Sequence, residues 1–295
     1  MKRNNKAATA AIVFFAIMTL VGIGTANAQI NLLEQTLQPD SNSLTATTGP
    51  NTIGADRLQL SGNLGWSHFD YHDDYFTINP DNSMTEVNKS SVMNAFGLGA
   101  GLRYGIGNIF ELYLNPSGSM YSLRNRENDS IETQDLKTLG ITFGGKLRFY
   151  EGGHGWVPSM AIFASLTALT YTRSGDNSTY SDNLYCTPSL GLQFRNRFGG
   201  RWLLDYSLGV NIYSGNAQNY KPTGAFDYSV MLRWLPTDRL MLGAGIDDNY
   251  GLFEVLWQAT PALQVKAQAG VSGGVGLGSG MFYSYANAGI NWMIK

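Results

Sequence analysis

The chain is sparing with residues that carry chemistry: three histidines and one cysteine in 295 residues. The densest cluster is His68-Phe-Asp70-Tyr-His72-Asp73-Asp74. At a spacing of two, His68, Asp70 and His72 would share one face of a strand, so a metal at the rim is one reading. A polar, acidic loop base is the plainer one, and no metal is expected. Catalysis by a Ser–His or Asp–His centre needs a base held against a nucleophile. His154 is expected in a short turn at the opposite end from His68, so the histidines cannot assemble one site. The reading is therefore no enzyme. Gly97-x-Gly99-x-Gly101 and Gly273-Gly-Val-Gly-Leu-Gly278 do not precede a helix, which leaves a nucleotide fingerprint unsupported. No cofactor is expected. Cys186 has no partner for an internal disulfide and reads as a small apolar residue.

The charged residues are more informative, because they share a phase. Arg103, Glu111, Lys146, Arg148, Gln193, Arg195, Arg197, Asp205, Asp227, Arg233 and Glu254 all alternate with apolar neighbours. Gln258, Gln264, Lys266 and Gln268 continue the set. If the apolar face meets lipid, these residues line a lumen, where charge sets which solutes enter. Arg103, Arg148, Arg195, Arg197 and Arg233 are the expected selectivity residues. A structural network of paired charges filling a closed barrel is the competing role.

The elements that position them repeat from about Arg57 to the end: some ten alternating residues, then a turn. Leu58, Leu60, Leu64 and Trp66 form the first apolar row, and Leu190, Leu192 and Phe194 a later one. Keeping Phe198 and Trp202 on one face requires a three-residue loop, which places Arg195 opposite Asp205. Short turns (Gly105–Asn108, Glu151–Gly155, Gly199–Gly200, Pro236–Asp238, Thr260–Ala262) alternate with longer polar stretches (72–86, 124–135, 174–183, 213–223, 247–251, 272–280). A sandwich lacks that rhythm. The expected fold is all-β: a transmembrane, antiparallel, up-and-down barrel of about twelve strands, with both termini in the periplasm. Trp66, Tyr104, Trp202, Tyr206, Trp234 and Trp292 are expected near strand ends as aromatic girdles.

Composition agrees. Charged residues are 14% and glycines number 35, whereas a soluble domain carries about a quarter charged residues. Residues 1–28 read as a signal peptide: Lys2, Arg3 and Lys6, an uncharged run from Ala7 to Gly24, then Ala26-Asn-Ala28. The 20 basic residues less those three leave 17 against 22 acidic, a balance that argues against nucleic acid as a partner. Residues 29–55, polar and rich in turn formers, read as an arm lying in the periplasm or folded into the barrel mouth. Residues 56–295 are the expected barrel.

The last strand, Asn287-x-Gly289-x-x-Trp292-x-Ile294, resembles the signal read by the outer-membrane barrel assembly machinery, although the chain ends in Lys295. Asp56-Arg-Leu-Gln-Leu-Ser-Gly62, Leu102-Arg-Tyr-Gly-Ile-Gly-Asn-Ile-Phe-Glu-Leu-Tyr113, Leu232-Arg-Trp-Leu-Pro-Thr-Asp-Arg-Leu-Met-Leu242 and Thr260-Pro-Ala-Leu-Gln-Val265 resemble segments of the bacterial transporter family of the phenol-degradation meta-pathway (MetA-like). That family's opening Thr-Asp-Arg-Pro-Asp-like motif is reduced here to Gln38-Pro39-Asp40. The resemblance implies an outer-membrane barrel moving small, often hydrophobic molecules. The expectation is a passive channel or transporter embedded in outer-membrane lipid, for an unspecified small-molecule solute. The alternatives are a closed structural or surface-binding barrel and, further off, an outer-membrane enzyme.

Overall fold

The computed structural model describes residues 50–78, 84–128, 130–152, 155–175, 178–181, 184–213, 223–247, 250–276 and 279–294. The expected signal peptide, most of the 29–55 arm and His154 lie outside these residues. The strands are β1 (Leu58–Ile78), β2 (Met84–Ile106), β3 (Phe110–Glu127), β4 (Ser130–Tyr150), β5 (Ser159–Gly175), β6 (Ser178–Ser181), β7 (Tyr185–Phe198), β8 (Trp202–Tyr213), β9 (Thr223–Thr237), β10 (Leu240–Asp247), β11 (Tyr250–Gln258), β12 (Leu263–Gly276) and β13 (Ser279–Ile294). Every pairing is antiparallel and between sequence neighbours, apart from β5 pairing β7 past the short β6 and β13 returning to β1 to close the sheet. The four residues of β6 pair only with the end of β5. The result is a closed twelve-strand up-and-down barrel, with no helix among the described residues.

Period-two alternation puts the apolar rows outside. Leu64, Trp66, Leu98, Leu139, Phe226 and Ile290 are among the exposed large side chains. Along β1 the outward row changes character after Trp66, where His68, Asp70 and His72 follow. Along β2, reading the same way, it changes from Phe96 to Asn94, and along β3 from Met120 to Ser122. Trp66, Phe96 and Met120 are level with one another in the registers of β1–β2 and β2–β3. From Leu58 to Trp66 the apolar row is nine residues long, which matches the roughly 9–11 residues that a tilted strand needs to cross a bilayer core.

Two sequence expectations change. The stretches read as long loops at 72–86, 124–135, 174–183 and 272–280 are largely paired strand: the β1–β2 ladder runs on to Ile78↔Met84 and β3–β4 to Glu127↔Ser130. Likewise Thr172–Gly175 pairs with β6, and Val275–Gly276 with β13. Beyond the apolar band both faces of a strand meet water, so alternation stops while pairing continues. For the same reason Trp66 lies well inside the 21-residue β1 rather than near its end. Tyr206 also sits inside its strand, stacked on Phe194 at 4.8 Å.

The walls differ in height. Strands β1–β5 run 17–23 residues, whereas β10 and β11 have eight and nine. The turn with Gly199-Gly200 at φ 56° and 74°, like the one between Ile106 and Phe110, lies at the end where β1 starts and β13 stops. Glycine accepts that left-handed backbone without a Cβ clash. This end is called the turn end below, and the other the loop end.

Candidate functional site

Towards the turn end the lumen is filled. The three-residue turn sets Phe198 against Trp202 and Arg195 against Asp205, and the latter pair is bidentate, with both N···O distances 2.6 Å. Asp205 also binds Arg233 of β9. Arg233 then crosses β10 to donate to Glu254 of β11 at 2.8 Å. That reach depends on Gly243, which faces inward between them: a Cβ there would lie 3.3 Å from Arg233 Cγ and 3.4 Å from Glu254 Cβ. Lys266 Nζ on β12 extends the chain to Glu254 at 3.2 Å. On the opposite wall Arg103 and Lys146 share Glu111, at 2.5 and 3.1 Å, and Arg103 also donates to Gln59 at 3.1 Å. Gln264 joins Gln258 and Asn291 at 2.9 and 3.3 Å. Ion pairs with amide groups between them thus line most of the circumference. Such groups are costly to bury unless paired, and the pairing holds the strands in one register.

The other sequence-nominated residues fall around this layer. Arg148 is buried and donates to the Asn108 carbonyl oxygen at 3.2 Å. Arg197 is half-buried, level with Leu203. Gln193 and Asp227 lie nearer the loop end, and Asp227 accepts from Asn211 at 3.5 Å. His68, Asp70 and His72 point outward above the apolar band, far from the lumen. His68 stacks beside Trp66 at 6.0 Å, and its Nδ1 lies 2.9 Å from Asn94 Oδ1. Among the described residues no group of three His, Cys, Asp or Glu side chains is placed to hold a metal ion.

Two parts of the floor go beyond the sequence reading, which left the arm either in the periplasm or in the barrel mouth. Leu203, Leu235, Met241 and Leu256 form an inward apolar cluster, each at most 7% exposed. The alternation hides them because they sit inside uninterrupted apolar runs such as Trp202-Leu-Leu204 and Leu240-Met-Leu242. The second part is the end of the arm: Pro50, Asn51, Thr52 and Ile53 are buried in the turn-end mouth. Ile53 N–H donates to Glu111 Oε2 at 3.2 Å, and Thr52 Oγ1 donates to the Asn108 carbonyl at 2.6 Å. Asp56 N–H and Gly105 N–H bond the carbonyls of Gly105 and Arg57, both at 3.0 Å. Gly105 permits the close approach, since a Cβ there would run into the Gly54 carbonyl.

Above the floor the lumen opens into a vestibule, a cavity of about 410 Å³. One wall, on β1–β3, carries nothing larger than Asn for two rows: Asn287–Gly65–Gly97–Ser119 and Gly289–Asn63–Gly99–Ser117. Asn63 and Ser117 face inward yet are exposed, so water reaches them. The other wall is Asp247, Tyr250, Tyr283 and Tyr285. Tyr285 lies over Gly270 of β12, where a Cβ would meet its ring. The same fit recurs with Tyr113 over Gly144 and Phe163 over Gly191. No sequence signal distinguished these tyrosines, because aromatic residues also crowd the outward face.

A closed up-and-down barrel with a bilayer-high apolar band and a polar lumen defines a β-barrel of the outer-membrane type. One solved structure supports the fold, and others are more distantly similar. An outer-membrane channel of Pseudomonas putida F1 is similar with a TM-score of 0.52 at 12% identity, covering 88% of this chain and 100% of its own. The toluene transporter TodX of Pseudomonas putida gives 0.46 at 9% identity, with coverages of 87% and 94%. The outer membrane protease OmpT of Escherichia coli gives 0.42 at 9%, with coverages of 81% and 97%. At these identities they assign no activity. No family model and no curated protein matches the sequence.

Proposed function

We propose that this protein is an outer-membrane channel for small molecules whose resting state is closed at the turn end. The carrying observation is the joining of a water-reached vestibule to a floor made partly of a non-barrel segment, residues 50–55. That segment is tied to the wall by hydrogen bonds from Thr52, Ile53 and Ala55, one of them to the charge layer itself through Ile53 and Glu111. A plug of this kind can leave while the wall stays intact. The turn end then faces the periplasm and the loop end the exterior, in keeping with the leader-like residues 1–28 and the last-strand pattern Asn287–Ile294, which the barrel assembly machinery would read. The MetA-like segments support the same class, and transport in this reading is passive diffusion through the lumen. Arg103, Arg148, Arg195, Arg197 and Arg233 are the residues that would bias entry once the floor opens.

The buried pairing at Asp205, Glu111 and Glu254 favours a second reading, a permanently closed structural or surface-binding barrel. Solute-uptake assays in proteoliposomes separate the two. The channel reading expects slow uptake of small solutes with the chain from Gln29 onward and faster uptake with the chain starting at Asp56. No uptake by either form, with both shown folded, would establish the closed barrel.

A further inference from the structure

The vestibule has a chemistry of its own, independent of passage through the floor. Among the described residues the one charge-bearing group at neutral pH in its lining is the carboxylate of Asp247, and no described Lys, Arg or His lines it. Asp247 sits directly across from Tyr250 in the β10–β11 register. Tyr250, Tyr283 and Tyr285 pack into one wall beside it, with centroids 4.9–6.2 Å apart and planes tilted by 49–83°. Rings tilted that steeply present faces as well as edges, and an aromatic face attracts cations through its quadrupole. Beside it, on the strands next to β13, stands the glycine wall, where Gly65 and Gly97 are direct partners. A Cβ on Gly65 would come no nearer than 3.7 Å to any neighbour. Over Gly144, Gly191 and Gly270 an aromatic ring of the chain itself fills the space; over Gly65 it belongs to the cavity, and over Gly97 the nearest group is the small Ser119 hydroxyl, 3.2 Å from where a Cβ would sit.

We propose that the vestibule binds a small organic cation, a quaternary or alkylated ammonium. Its charged head lies against Asp247 and the tyrosine wall, and its apolar body lies across Gly65 and Gly97. Several features converge on this class. The carboxylate selects positive charge, the ring faces favour a weakly hydrated ammonium over a metal ion, and the hydroxyl and amide groups of Ser67, Ser119 and Asn287 would serve a polar substituent. The floor beneath holds six basic side chains (Arg103, Lys146, Arg148, Arg195, Arg233, Lys266) against three acidic ones (Glu111, Asp205, Glu254). That surplus keeps a cation in the vestibule, above the floor.

The test is calorimetric titration of choline into the protein in nanodiscs made from lipid without choline headgroups. Its uncharged isostere, 3,3-dimethyl-1-butanol, is titrated in parallel. The expected result is saturable choline binding, with the isostere and the variants Asp247→Asn and Tyr283→Leu each weaker by about tenfold or more. Equal binding of choline and the isostere would reduce the site to an apolar hollow and overturn the proposal, as would absence of choline binding to the native protein. Should Asp247→Asn not fold, the isostere comparison and Tyr283→Leu still decide. Because the readout is binding, it succeeds or fails separately from the uptake assay.

Discussion

The Arg195–Asp205 pair carries more of the lumen's organisation than any other. It is bidentate and buried, and Asp205 hands its second oxygen on to Arg233. Removing Asp205 takes the carboxylate from both Arg195 and Arg233, whereas removing Arg195 leaves Asp205 still paired with Arg233. Asp205→Ala should therefore lower stability by about 3–5 kcal/mol, and the double change Arg195→Met/Asp205→Leu, which leaves Arg233 on Glu254, by less. Urea titration in lipid vesicles, followed by tryptophan fluorescence, reads all of these; equal losses in the single and double variants would mean that the pair is not the organising contact. Gly105 poses a different problem, since its missing side chain is what lets Gly54 and Ile53 enter the mouth. A valine there should expel residues 50–55 while the barrel persists. Limited proteolysis should then cut before Asp56 in Gly105→Val but not in the native chain.

At the scale of elements, β3 carries a proline within a barrel strand. Pro116 has no N–H, and the β2–β3 ladder skips from Gly99↔Ser117 to Leu102↔Leu114 without changing register. A missing ladder bond weakens a sheet locally. Pro116→Thr should slow amide exchange at Ala100 and Gly101, leaving the β5–β7 seam as control; unchanged exchange would mean that the gap is closed by other means. The strands also show where sequence is informative. The outward rows were legible, because an apolar environment outside imposes strict alternation on every strand that crosses it. Strand ends above the band were not, because there the outward rows of β1–β3 turn polar and strict alternation stops while pairing goes on. In the lumen, Arg195 opposite Asp205 followed from one turn length. Arg233 with Glu254 did not, since that contact skips a strand and depends on Gly243. The arm's entry was equally hidden: nothing in Pro50–Ala55 marks it as complementary to Gly105 and Asn108.

The whole molecule is a barrel with a bilayer-high apolar band, a filled turn end and an open vestibule. The band makes a direct prediction. In vesicles of lipids brominated at defined depths, Trp66, on the loop-end border, and Trp292, near the turn end, should both be quenched most by shallow bromines when each is the sole tryptophan. Strongest quenching of either by deep bromines would move the band. Whether the floor closes the lumen is read by single-channel conductance in planar bilayers. The chain from Gln29 onward should be mostly silent with brief openings, and the chain beginning at Asp56 should show long-lived steps. Steady, equal conductance from both forms would show that residues 50–55 do not close the lumen, and would contradict the account.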